Sequence, residues 1–128
     1  MYHSNENKAQ EAKSSLEQYN IKTTLYKYDI SKVDEISKRY AQLPEHTILI
    51  NNAGGVCEED ESVTDWQQSF NLNLLSAVQL SQLFWKRIGD RPAKIINISS
   101  IYGVKPLAPH YPAYSSAKAA LNHYTQLT

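Results

Sequence analysis

An α/β fold built on a parallel sheet is what this sequence predicts, and three observations carry the prediction. Two short apolar runs rich in β-branched residues, within HTILI and AKIINIS, read as buried strands. Each is followed by a polar break and then a long stretch with helical periodicity. Strand and helix patterns alternate along the chain, the arrangement that gives a parallel sheet with helices on both faces.

Taken in order, Asn5 to Tyr19 predicts a helix with Ala9, Ala12, Leu16 and Tyr19 on one stripe and Ser4 or Asn5 as cap. Lys22 to Ile30 alternates and is β-branched and aromatic, which predicts a strand. Ser31 reads as the N-cap of a helix carrying Val33, Ile36, Tyr40 and Leu43 that stops by Pro44. Thr47 to Ile50 predicts a strand buried on both faces, broken by Asn51-Asn52-Ala53-Gly54-Gly55. Cys57 to Val63 is acidic and reads as loop. Thr64-Asp65-Trp66-Gln67 reads as a second cap, opening a long helix to about Arg87 with Trp66, Phe70, Ala77, Ser81, Phe84 and Ile88 on its stripe. Ala93 to Ser100 predicts another buried strand. The loop from Ile101 to His110 is held by Gly103, Pro106 and Pro109, and a last helix starts near Tyr111-Pro112, where proline suits the first turn.

Composition narrows the function classes. The 128 residues suffice for one ordinary domain, and 41% hydrophobic with 20% charged residues suits a globular chain. Lys+Arg and Asp+Glu are both 13, so net charge gives no case for nucleic acid or an anionic membrane. No apolar run is long enough to span a bilayer, and the polar start MYHSNENKAQ does not resemble a secretory signal. A cytoplasmic location is therefore the expectation. The single cysteine, Cys57, fits a reducing compartment and reads as a small packing residue. No His/Cys cluster has metal-ligand spacing, so no metal site is expected.

In open parallel sheets ligands bind beyond the carboxyl ends of the strands. Four polar clusters fall there: Asp29, Asn51 to Gly54, Ser99-Ser100, and the loop leading to Tyr114. Asn73 falls on the apolar stripe of the long helix, so an amide is expected on a buried face, where it needs partners. Tyr114 and Lys118 stand four positions apart in a helical setting, on one face. Tyr28 and Lys32 share that spacing but straddle a strand end and a helix start, so they share no face.

INNAGG, FNLN ending at Asn73, INISS ending at Ser100, and YSSAK from Tyr114 to Lys118 together resemble the short-chain dehydrogenase/reductase family. The resemblance covers essentially the whole chain. It implies a partial Rossmann-like, doubly wound parallel sheet lacking the first strand-helix unit and the C-terminal part. It also implies an NAD(P)-dependent oxidoreductase acting on a small-molecule carbonyl or alcohol. Tyr114 is then the general acid/base, and Ser100 the hydroxyl that holds the substrate oxygen. Ser100 is preferred to Ser99 because it directly precedes Ile101-Tyr102-Gly103. Lys118 binds nicotinamide ribose and eases loss of the tyrosine proton. Asn73 holds a water linking that lysine to solvent. Asp29 contacts adenine, and Asn52, Ala53 and Gly54 line the cofactor pocket. Physical chemistry gives the pair its sense: a free phenol ionises near pH 10, too high for a base near neutrality, and an adjacent cation favours the phenolate.

The departure from the family lies in the glycines, at 54, 55, 89 and 103, which cannot make its spaced phosphate-binding turn. The chain therefore reads as an internal piece, 1–128 being the central part of one such domain, expected to bind dinucleotide poorly and to be unstable alone because both sheet edges would be exposed. The different-class alternative is a non-catalytic remnant that pairs through its long helix. Where the family selects NAD with an acid, Tyr2-His3-Ser4-Asn5 is neutral with Lys8 nearby, which leans toward NADP(H) over NAD(H). The family also implies a homo-oligomer in the full-length form, with Trp66, Phe84 and Trp85 partly at the interface. Tyr102 and Tyr111 are candidates to shape a substrate pocket, though they read at least as well as surface tyrosines.

Overall fold

The computed structural model describes residues 1, 3–56, 62–105 and 111–128, in two compact units, Met1–Ile30 and Ser31–Thr128. The readings placed on Tyr2, on Cys57 and the acidic loop after it, and on Pro106 and Pro109 lie outside the described residues.

The first unit holds helix α1, Glu6–Glu17, capped by Asn5, whose side chain accepts from the Lys8 N–H at 2.9 Å. Its apolar stripe is not buried: Leu16 is 44% and Tyr19 76% exposed. Thirty residues cannot supply a core of their own. Lys22 to Ile30 is not a strand; it has one bridge position, at Lys27, and ends in a turn at Ile30. Alternation prepares a segment for a sheet, yet only a paired neighbour makes it a strand. Within this unit the Asp29 carboxylate lies 3.6 Å from the His3 imidazole.

The second unit carries the sheet. After a 3₁₀ turn, Val33–Glu35, comes α2, Ile36–Tyr40. Lys32, not Ser31, occupies the cap position of that turn. Strand β1, Ile48–Asn51, pairs in parallel with β2, Lys94–Asn97, in the register Ile48↔Lys94 to Asn51↔Asn97. Between them runs α3, Val63–Phe70, a π-helical turn, Asn71–Leu75, and α4, Ser76–Ile88, closed by Gly89 at φ +59°. The cap of α3 is Ser62, two residues before the expected Thr64. Ser62 and Asp65 form a reciprocal capping box, the Asp65 N–H donating to Ser62 Oγ at 3.1 Å and the Ser62 N–H to the Asp65 carboxylate at 3.0 Å. Helix α5, Pro112–Leu127, follows a 3₁₀ turn at Ile101–Gly103.

The core lies between helices. α2 packs on α4, and α3 and the π turn pack on α5. Ile36, Phe84, Ile88, Ala113, Ala117 and Leu121 are all at most 3% exposed. The two alanines let α5 come close, and burial of Phe84 contributes roughly 1.5–3 kcal/mol. Phe84 is thus a residue of this chain's own core and not an interface residue, whereas Trp66 and Trp85 are 37% and 40% exposed.

The strands are buried on one face only. On that face Asn51 Nδ2 donates to Asn97 Oδ1 at 2.8 Å and to Ser81 Oγ at 3.2 Å. Asn97 Nδ2 continues to Thr125 Oγ1 at 2.9 Å, so one polar chain ties both strand ends to α4 and α5. Asn51 Oδ1 is buried without a hydrogen-bond partner among the described residues. The opposite face leaves Ile48, Ile50, Ile96 and Ile98 between 43% and 58% exposed. A continuous apolar run reports a segment suited to two covered faces; α4 and α5 cover one.

At the far end of α4, Arg87 closes α2. Its guanidinium donates to the Tyr40 carbonyl at 2.8 Å and the Leu43 carbonyl at 3.1 Å, and stands 4.2 Å from the Tyr40 ring centre. Arg87→Met keeps the aliphatic packing and strands both carbonyls. The expected loss is about 1–3 kcal/mol, read as a lower denaturation midpoint in urea at unchanged m-value. Burial holds the Tyr40 phenol above the usual tyrosine value, against the lowering pull of Arg87. The folded chain keeps that proton where the unfolded chain gives it up. The contribution is therefore full below about pH 10 and is lost as pH rises through the raised value.

Candidate active site

Two polar segments follow the carboxyl ends of the strands, and the second unit brings them onto the first half of α5. Asn52 to Gly55 leaves β1, Ser99-Ser100 follows β2, and Tyr114 and Lys118 lie one turn apart on α5.

Lys118 is the centre. It is only 3% exposed, in a helix whose neighbours Ala113 and Ala117 are fully buried. Nζ donates to the Ile98 carbonyl at 3.0 Å and lies 5.9 Å from the centre of the Tyr114 ring. Burial lowers the ammonium from the ordinary lysine value, because a charge taken out of water is penalised. Ile98 O takes one of its three protons, so two remain to give.

Asn73 and Gly54 form the opposite wall. Asn73 is 1% exposed, in the π-helical turn. Such a turn inserts a residue and re-aims the side chains after it. Asn73 Oδ1 accepts from the Gly55 N–H at 2.9 Å, and Nδ2 donates to the Gly55 carbonyl at 2.9 Å and the Ser69 carbonyl at 3.0 Å. The amide expected on a buried face is thus satisfied, largely by one glycine. That clamp sets the turn at Gly54, where an added Cβ would stand 2.9 Å from Asn73 Oδ1 and 3.0 Å from Lys118 Nζ. Glycine keeps this space open beside the ammonium.

The two serines divide their work. Ser99 Oγ donates to the Lys118 carbonyl at 3.3 Å, a packing bond between strand end and helix. Ser100 caps the 3₁₀ turn, its Oγ accepting from the Tyr102 N–H at 3.3 Å, which leaves the hydroxyl proton to be given elsewhere. The Tyr102 ring stands edge-on to the Tyr114 ring, centres 6.2 Å apart. Ser100 and Tyr114 are thereby joined through one residue.

Two features of the site were not singled out from sequence. An added Cβ on Gly103 would meet the Lys118 backbone at 2.7 Å, and Asn122 Nδ2 donates to the Gly103 carbonyl at 3.1 Å. The Ser100 turn is therefore docked on α5 by main-chain contact. A glycine three residues beyond Ser100 was the available signal, though it read only as a loop residue. Of the residues expected at the site, Asn52, Ala53, Gly54, Asn73, Ser100, Tyr114 and Lys118 lie in this second unit. Asp29 lies in the first. No metal-binding group of three or more His, Cys, Asp or Glu occurs among the described residues, and no helix there is long and apolar enough to cross a membrane.

Comparison with known proteins bears on the family and the fold. A family model described as short chain dehydrogenase matches residues 1–128. The uncharacterized oxidoreductase YvrD of Bacillus subtilis is 39% identical over 100 residues, covering 73% of this chain and 38% of that protein. Acetoin dehydrogenase YohF from Salmonella typhimurium superposes with a TM-score of 0.84 at 29% identity, over 98% of this chain and 53% of that one. A putative D-mannonate oxidoreductase from Haemophilus influenza, solved with bound NAD, gives a TM-score of 0.77 at 28% identity, over 96% and 52%. The chain thus spans about half or less of the length of these proteins.

Proposed function

The chain belongs to the short chain dehydrogenase family, and from that premise we propose that residues 1–128 are the central part of one Rossmann-like domain of an NAD(P)-dependent oxidoreductase. The reaction is hydride transfer between nicotinamide and a carbonyl or alcohol. The observation that carries this reading is the buried Lys118 ammonium beside both the Tyr114 ring and the space that Gly54 leaves open.

A bound nicotinamide supplies or takes the hydride. Everything else falls to the chain. In reduction, the Tyr114 hydroxyl gives its proton to the substrate oxygen as the carbonyl carbon gains hydride; in oxidation it takes that proton back. Ser100, its oxygen already accepting from Tyr102, donates its proton to the same substrate oxygen and fixes it. Lys118 favours the phenolate of Tyr114 by its charge, and its remaining N–H groups hold the ribose hydroxyls. Asn52, Ala53 and Gly54 line the nicotinamide side. Asn73, by holding Gly55, keeps that turn against Lys118 and shelters the water that links the ammonium to solvent. Asp29 contacts adenine. The residue types fit the group: a Cβ-free turn, an ammonium with protons to spare, and a phenol beside them.

The neutral stretch His3-Ser4-Asn5 with Lys8 nearby supports NADP(H) over NAD(H), since no acid stands there to repel a 2′-phosphate. The exposed Trp66 and Trp85 support pairing of the complete protein into a homo-oligomer, and the polar sequence supports a cytoplasmic setting. The test is a panel of small ketones, aldehydes and secondary alcohols with the complete gene product and each nicotinamide. Carbonyl-dependent loss of NADPH absorbance, with a higher kcat/KM for NADPH than NADH, is expected. A folded protein that binds neither nicotinamide and turns over nothing overturns the reading.

A further inference from the structure

Beside Tyr114 stand two more tyrosines that neither the proton transfer nor the core uses. Tyr102, half-buried, is the centre of two edge-to-face pairs. Its ring centre lies 6.2 Å from that of Tyr114, planes at 67°, and 6.2 Å from that of Tyr111, planes at 69°. Tyr111 is 41% exposed. By contrast Phe84, a core ring of this unit, is 1% exposed. The tyrosine rings are tied to one another yet keep open surface.

Their setting is built. Tyr111 caps α5 with φ +62° and ψ 50°, a left-handed conformation that bulky residues seldom adopt. Pro112 follows it, which disfavours the ordinary helical alternative at Tyr111, and the Tyr111 carbonyl accepts the first helical bond from the Ser115 N–H at 2.9 Å. Tyr102 is held by its N–H on Ser100 Oγ and by its neighbour Gly103 seated on the Lys118 backbone. Ring and serine therefore move as one turn. A substrate oxygen held by both Ser100 and Tyr114 would bring its neighbouring group toward the Tyr102 ring that links them.

We propose that Tyr102 and Tyr111 form an aromatic wall of the substrate pocket and select carbonyl substrates bearing a planar unsaturated or aromatic group next to the reacting carbon. Rings arranged edge to face offer faces and edges to a flat π system, and such pairs are favoured beyond their contact area. A puckered saturated ring of the same size gains only contact. The inference rests on the reading of Tyr114 as the proton donor.

The test compares an aryl methyl ketone with cyclohexyl methyl ketone, using the complete gene product. The unmodified enzyme is expected to favour the aryl ketone in kcat/KM. Tyr102→Leu and Tyr111→Leu, checked for folding by circular dichroism, are each expected to cut that preference about three- to tenfold, mainly through KM. Tyr102→Phe, which keeps the ring, is expected to retain it. A preference at or below unity in the unmodified enzyme overturns the wall even if no Leu variant folds. Unchanged preference in folded Leu variants does so too, as does equal loss in Tyr102→Phe. Those outcomes leave Tyr114 in its role, and so does turnover of other carbonyls with neither of these ketones accepted, which overturns the wall alone; only a folded protein that binds neither nicotinamide and turns over nothing on the wider panel removes both readings.

Discussion

Tyr114→Phe is expected to lower kcat by about 10²–10⁴-fold while the protein folds and binds nicotinamide as before. The change removes one oxygen from a half-exposed ring and nothing else. The edge-to-face pair with Tyr102 survives, because it is made by the rings. Lys118 keeps its bond to the Ile98 carbonyl, so the ammonium stays in place. Only the proton is lost. With no group to protonate the developing alkoxide, hydride transfer loses its driving partner, and water is a poor substitute. Steady-state kinetics give kcat, nicotinamide fluorescence gives the binding constant, and thermal melting checks the fold. A binding constant within twofold of the parent is the second half of the expectation. Residual kcat within tenfold would sink Tyr114 as the donor, and a collapse of binding would make it a structural residue.

How much of this was legible in the sequence follows from what each pattern measures. The apolar runs at Thr47 to Ile50 and Ala93 to Ser100 reported extended, poorly hydrated segments, and both became paired strands. The helical stripe through Trp66, Phe70, Ala77, Ser81, Phe84 and Ile88 reported a buried face; the last four are buried, whereas Phe70 is half-buried and Trp66 is 37% exposed. Asn73 stood out because an amide on that stripe contradicts its neighbours, and it proved to be the clamp on Gly55. Periodicity did not report partners. Lys22 to Ile30 has a strand's alternation but no assigned strand, and Ile48 and Ile50 have a two-sided strand's composition but one covered face. The cap of α3 was misplaced because Thr64-x-x-Gln67 and Ser62-x-x-Asp65 both fit the pattern, and only geometry separates them. The π turn, the left-handed Tyr111 and the approach of Gly103 to α5 are tertiary facts. They arise where one element is pressed against another, and no local pattern encodes that pressure.

That last contact sets the largest structural effect expected of a single methyl group. In Gly103→Ala the new Cβ would stand 2.7 Å from the Lys118 carbonyl carbon, 2.8 Å from its oxygen and 3.0 Å from the Ala119 nitrogen. These are main-chain atoms of α5, so no side chain can swing aside. Either α5 moves, against the buried Ala113, Ala117 and Leu121, or the Ser100 turn lifts off and breaks the bond from Asn122 Nδ2 to the Gly103 carbonyl. Overpacking of this kind costs about 1–3 kcal/mol, a fall in Tm on the order of 5–15 °C. Either route also separates Ser100 from Tyr114 and Lys118, and a misplacement of about 1 Å in such a site lowers turnover on the order of 100-fold. Gly55→Ala is the control for stability: nothing lies within 4 Å of its added Cβ, so its stability should stay within about 0.5 kcal/mol of the parent. Thermal melts of both variants beside kcat/KM for Gly103→Ala decide the matter. Parent-like stability and turnover in Gly103→Ala would mean that the serine turn does not depend on this contact.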